Sequence, residues 1–222
     1  MSITYVDHMG TDLLVANAAR KSFGADFTEF RTIEDGPRSP RGRSDEQLLL
    51  DLVKDGHWLP FRHPHITIAC SAALPIARQL GKHQVGLDWS EISRRYKTKD
   101  ISFTRIEGTW RMDQADRKQG TGELADDMTQ RRFKRIQERN ITNCIYDYEE
   151  ALRLGMTPEQ ARYLLPQSME AEWTWTGSLL AFAHLYRQRT HADAQMEVVD
   201  FAKELSDIIK PLFPVSWKAL TE

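Results

Sequence analysis

Two periodicities set the terms for this chain. Residues 128–154 carry apolar side chains at helical spacing, with Phe133, Ile136, Ile141, Ile145, Tyr148 and Leu152 on one stripe and Gly155 as the stop. His63 to Cys70 alternates instead, with Ile66, Ile68 and Cys70 on one side and His63, His65 and Thr67 on the other. A long helix and a half-buried strand therefore coexist. No βα unit repeats around them, so the expected class is α+β: a mixed or antiparallel sheet with long helices.

The remaining segments follow from local signals. Ile3 to Val6 reads as a short strand, and Asp12 is placed to cap a helix running to Lys21. Ser44 with Gln47 forms a capping box for a second helix, whose apolar face is Leu48, Leu49, Leu50, Leu52 and Val53 and whose end is Gly56. Pro75 opens another helix, and Ile101 to Arg111 is extended. Thr157-Pro158-Glu159-Gln160 starts a short helix that contains Arg162. Trp173 to Arg189 is a strand or turn leading into a helix, on which Ser178 and Arg189 share a face about 16 Å apart. A final helix after His191 turns Val198, Val199, Phe201, Ala202 and Leu205 inward. The stretches near 24–43 and 113–126 read as mobile loops. At 222 residues the chain suits one domain spanning 1–222.

Charge excludes some functions. Thirty Lys and Arg against 32 Asp and Glu leave a formal charge of −2, so no global basic field exists to hold nucleic acid. Two cysteines, Cys70 and Cys144, give neither a zinc spacing nor a redox pair. Met1 to Gly10 has no signal-peptide pattern, and no window is apolar enough to span a membrane, so the expected location is cytoplasmic. His63 and His65 share a strand face and invite a metal reading, but without a Cys pair or a metal-protease motif a plain strand face is the stronger one.

Chemistry concentrates in Ala77 to Tyr96. Gln79, Lys82 and His83 fall at helical spacing, placing them on one face if this is helix. Gly86 offers a break. Beyond it Ser90, Glu91, Ser93, Arg94 and Arg95 form a second polar group. Arg guanidinium matches phosphate oxygens in a planar, bidentate way, and Ser adds a small hydroxyl donor. The stretch is either a solvated charged segment or a grip for two anionic ligands side by side.

At these residues the sequence resembles the flavin-dependent thymidylate synthase family. That family carries an Arg-His-Arg triplet, seven residues, a Ser, and then Arg-Tyr. Here Lys82-His83-Gln84 stands for the triplet, eight residues follow, and Ser93 precedes Arg94-Arg95-Tyr96. Asn17-Ala18-Ala19-Arg20, Gly56-His57, Pro60-Phe61, Ala77-Arg78-Gln79, Ala161-Arg162, Trp175-Thr176-Gly177-Ser178 and Arg189 with Ala194-Gln195 and Glu197 are similar in order and spacing.

The resemblance implies a homotetramer with active sites between subunits and FAD as prosthetic group. NADPH and 5,10-methylenetetrahydrofolate would be co-substrates in the reductive methylation of dUMP. It implies dUMP contacts from Gln79, Glu91, Ser93, Arg94, Arg95 and Arg162, the last from another subunit. It makes Arg189 the catalytic residue facing the uracil ring, where a fixed cation draws electron density and makes C5 nucleophilic. FAD would be held by His57, Lys82, His83, Gln84, Ser90, Glu91, Ser178 and His184. No cysteine nucleophile is implied. Trp89 is a ring-stacking or core residue, and Tyr96 a packing residue.

Departures are equally plain. Lys82 and Gln84 replace two arginines, the loop is one residue longer, and Leu59 and His184 stand where the family often has Thr and Asn. Hydroxymethylation of dUMP, or methylation or hydroxymethylation of dCMP, stays open on the same scaffold. So does a non-catalytic nucleotide or nucleic-acid binder using Arg94, Arg95, Lys97 and Lys99, and a metal-dependent hydrolase built on His63 and His65.

Overall fold

The computed structural model describes residues 1–37, 42–113 and 122–222. In chain order it has strand β1 (Ser2–Met9), helices α1 (Asp12–Lys21) and α2 (Asp45–Lys54), a 3-10 turn at Leu59–Arg62, and strand β2 (His65–Ala73). Then come α3 (Leu74–Leu80), β3 (Leu87–Glu91), the long α4 (Asp127–Arg153), the short α5 (Pro158–Ala161) and a 3-10 turn at Arg162–Leu164. Strand β4 (Glu170–Ser178) and helices α6 (Leu179–Arg189), α7 (Met196–Ile209) and α8 (Pro214–Thr221) complete it. The strands form one antiparallel sheet in the order β1-β2-β4-β3, giving the α+β class.

The sheet explains the alternation in the sequence. Ile66, Ile68, Cys70 and Ala72 of β2 point to the core, and Ile68 lies opposite Trp175 of β4. Trp175 meets Phe182 of α6 edge-on at 5.8 Å and tilts against Phe201 of α7 at 6.4 Å. Such aromatic pairs add about 0.5–1.5 kcal/mol beyond the area they bury. Trp89 of β3 stacks on Trp173 at 4.1 Å, so its ring belongs to this aromatic layer and not to a ligand. The opposite face is polar: the hydroxyls of Thr67 and Thr176 bond at 3.0 Å.

Local signals hold at several boundaries. The Ser44 hydroxyl accepts from the Gln47 backbone N–H at 3.1 Å, and Asp126 accepts from Thr129 N–H at 2.7 Å to start α4. Gly155, at φ +86, ends the turn after α4.

Elsewhere the structure corrects the expectation. Thr11 holds the cap position of α1, and Asp12 instead accepts from the backbone N–H groups of Val215 and Ser216 at 2.8 and 2.9 Å. The carboxylate thus satisfies the first turn of α8, an element the sequence reading left out. The helix opened by Pro75 ends at Leu80, so Lys82 and His83 lie in a following turn and not on a helix face. The stripe on α4 is covered only in part: Ile141 and Tyr148 are buried, whereas Phe133 and Ile136 are exposed. Tyr96 is 78% exposed and packs into no core. Of the loops expected to be mobile, residues 38–41 and 114–121 lie outside the described residues.

Candidate active site

Positions far apart in sequence meet at the end of α6. Its first turn is capped by Ser178, whose hydroxyl accepts from Ala181 N–H at 3.3 Å, and its last residue is Arg189. Ser178 and Arg189 therefore bracket one helix. Arg189 Nε–H donates to His83 Nε2 at 2.8 Å, and its terminal nitrogen donates to the Gln79 carbonyl at 3.0 Å. A guanidinium only donates, so His83 Nε2 must carry no proton, and the ring proton sits on Nδ1. Burial, reinforced by the Arg189 charge, pulls the His83 pKa down to about 4, which keeps the ring neutral at pH 7. The Gln79 side chain donates to Gln195 Oε1 at 2.5 Å. Gln79, Arg189 and Gln195 share a cleft of about 590 Å³ with Trp110, Arg111 and Glu197.

The second polar group surrounds a separate cavity of about 510 Å³. Glu91, Ser93 and Arg94, just past β3, line it together with Arg162 and Arg78. Arg162 reaches this group within a single chain, so the meeting itself requires no neighbouring subunit. Arg94 is 5% exposed; its guanidinium donates to the carbonyls of Lys97 and Lys99 at 3.5 and 3.3 Å and lies 3.7 Å from Glu172. An inward-turned Arg94 cannot form the outward basic strip that the nucleic-acid reading needed. Arg95 sits over the Tyr96 ring and 3.6 Å from Glu159, on the side of Arg162, whose Nε donates to the Glu159 carbonyl.

The residues expected to hold a flavin fall in two places. His57 lines an apolar cleft of about 460 Å³ with Trp58, Leu59, Leu48 and Leu52. His184 faces this region, its ring 6.3 Å from that of Trp58. Burial, helped by Arg187, lowers the His184 pKa, so it too favours the neutral form. Lys82, Gln84 and Ser90 are exposed, and Gly86 lies against Ser178: a Cβ there would sit 3.3 Å from the Ser178 hydroxyl. An apolar cleft edged by His57 and by the neutral imidazole of His184 suits a flat isoalloxazine ring, and exposed Lys82 suits a phosphate. The donor set thus fits the group. Cys70 is buried, and burial pushes its thiol pKa far up, away from nucleophilic use. His65 bonds the His63 carbonyl through Nδ1 at 3.0 Å.

Reading the sequence alone missed Trp110 and gave Gln195 and Glu197 no role. The positions of Gln195 and Glu197, close behind Arg189, were the one available signal.

An α+β fold with an arginine fixed at one cleft and a second cavity lined by Ser93, Arg78, Arg94 and Arg162 suits an enzyme that handles nucleotides. The family model described as thymidylate synthase complementing protein matches residues 4–215, and the chain belongs to that family, the flavin-dependent thymidylate synthases. A flavin-dependent thymidylate synthase of Thermosipho africanus is 28% identical over 214 residues, covering 96% of this chain and 88% of the relative. One from Thermus thermophilus is 26% identical, covering 99% and 75%. Among solved structures, a UMP/dUMP methylase, PolB from Streptomyces cacaoi bound with 5-Br dUMP, superimposes with a TM-score of 0.84 at 25% identity, covering 99% of this chain and 94% of that one.

Proposed function

We propose that the chain catalyses the reductive methylation of dUMP to dTMP, dependent on FAD and NADPH, with 5,10-methylenetetrahydrofolate as the one-carbon donor. The family and the names of its relatives support the reaction. The observation that carries it in this chain is the seat of Arg189. A neutral imidazole and a backbone carbonyl hold two of its donors and leave others for the cleft. A cation fixed in that way stabilises negative charge on the pyrimidine at N3 and its neighbouring carbonyl, which enriches C5. No solvent need reorganise to place it.

The nucleotide contacts are Gln79, Glu91, Ser93, Arg94, Arg95, Arg162 and Arg189. Glu91, Glu170 and Glu172 share the 510 Å³ cavity, so a phosphate dianion is directed to its Ser93, Arg78 and Arg162 side. Buried Arg94 acts from behind as a fixed charge. His57, Lys82, His83, Gln84, Ser90, Glu91, Ser178 and His184 would hold FAD. Bound and reduced by NADPH, FAD supplies the hydride that completes the methyl group. A homotetramer is supported by the exposed apolar Met128, Phe133 and Ile136 on α4, which a neighbouring copy would cover.

Lys82 and Gln84 favour keeping a second product in view, because they change the grip on the cofactor phosphates. The deciding experiment incubates the purified, yellow protein with dUMP or dCMP, methylenetetrahydrofolate and NADPH. A methylated uracil nucleotide supports the proposal. A hydroxymethyl group, or reaction with dCMP alone, replaces it with the alternative chemistry, and no product at all overturns both.

A further inference from the structure

Part of the cleft that contains Arg189 is lined by the extended segment that runs alongside α4. The Gln130 side chain takes both backbone groups of Trp110: its carbonyl accepts from the N–H at 3.0 Å and its amide donates to the C=O at 2.7 Å. Gln137 accepts from the Ile106 N–H at 3.1 Å, and Arg105 pairs with Glu138 at 2.9 Å. The segment is stitched down at three points, so the indole of Trp110 has a fixed seat.

Three polar atoms around this segment are buried without a partner among the described residues: Nε1 of Trp110, Nε2 of Gln137 and, on α7, Oε2 of Glu197. Trp110 and Glu197 line the cleft that contains Arg189, and with Gln137 they also line a more apolar cleft of about 660 Å³. An unmade bond at a buried N–H or carboxylate oxygen costs about 1–3 kcal/mol, more for the charge. One donor and one acceptor left open in the same cleft as a fixed guanidinium form a matched set for the edge of a planar ring. A pyrimidine presents such an edge, with a carbonyl oxygen next to a ring or exocyclic N–H.

We propose that Trp110 and Glu197 are further ligand-contacting residues, which read the base edge of the pyrimidine nucleotide bound against Arg189. The inference rests on the proposed substrate class. Trp110 Nε1–H donates to a ring carbonyl, and Glu197 Oε2 accepts the N3–H of the neutral base as it binds, before the charge that Arg189 stabilises has developed. The pair therefore sets base recognition, while the phosphate is held in the neighbouring cavity.

The test measures equilibrium binding of dUMP and of 2-deoxyribose 5-phosphate, which lacks the ring, to the flavin-loaded protein and to two variants. Trp110→Phe keeps an aromatic plane and removes the N–H. Glu197→Gln keeps the shape and removes the charge. Each variant is expected to lose about tenfold in dUMP affinity and to bind the sugar phosphate as the parent does. Unchanged dUMP affinity in both variants overturns the inference, as does an equal loss for dUMP and the sugar phosphate. If the parent protein binds no dUMP, the substrate assignment itself falls. Should one variant lose its flavin or fold, the other decides alone.

Discussion

Arg189 and His83, 106 positions apart, are joined by a 2.8 Å hydrogen bond in which the imidazole can only accept. Burial, with the Arg189 charge beside it, depresses the folded pKa of His83 to about 4 from its ordinary value of 6.5. Above pH 6.5 the ring is neutral in both folded and unfolded chains, so it adds no pH dependence. As pH falls from 6.5 towards 4 the unfolded chain takes up the proton first, and the fold loses stability. His83→Gln removes this contribution. Urea midpoints measured between pH 7 and 4.5 should fall less steeply in the variant, and parallel slopes would contradict the assignment.

Arg189→Ala should lower turnover of dUMP by at least about 10²-fold, the scale for loss of a fixed electrostatic group at the reacting centre. Flavin content should be unaffected. Stopped-flow reduction and product assay on the same preparation separate the two. Ordinary turnover would remove Arg189 from the chemistry.

Arg162→Ala should weaken dUMP binding roughly tenfold or more, since a charged hydrogen bond contributes about 1.5–3 kcal/mol. Arg162→Lys should recover little, because an ammonium does not reproduce the planar fork. Calorimetric titration of the three proteins checks both statements.

Gly177→Ala should destabilise the protein by about 1–3 kcal/mol. A methyl at this position would stand 2.3 Å from Leu87 Cδ2 and 2.6 Å from the Gly86 carbonyl, where β3 joins β4. Backbone must move, and with it the turn that carries His83. Thermal unfolding and dUMP affinity should both respond, and a neutral result would contradict this close approach.

Much of this was written locally. The alternation of Ile66, Ile68 and Cys70 marks a strand face whatever surrounds it, and the Ser44 cap lies within one helical turn of the Gln47 N–H that it accepts from; Asp126, read as the end of a loop, caps α4 in the same way. What failed was local evidence for a non-local outcome. Lys82 and His83 have helical spacing to Gln79, yet pairing of β3 with β4 takes over at Leu87 and pulls the chain out of the helix. The α4 stripe says which side of the helix is apolar but not what covers it. Residues 79, 83 and 189 become neighbours only when the last residue of α6 meets the end of α3 and the turn after it, so spacing alone gave candidates and the fold gave their company. Trp110 carried no motif; only its unmade bond, visible after folding, draws attention to it.

The bonds from Asp12 to Val215 and Ser216 span 203 and 204 positions. The amino-terminal helix must wait for about two hundred further residues to be made before this carboxylate finds its donors, and α1 and α2 spend that interval without α8, which packs on both. Contacts of such sequence separation slow folding and lengthen exposure to aggregation.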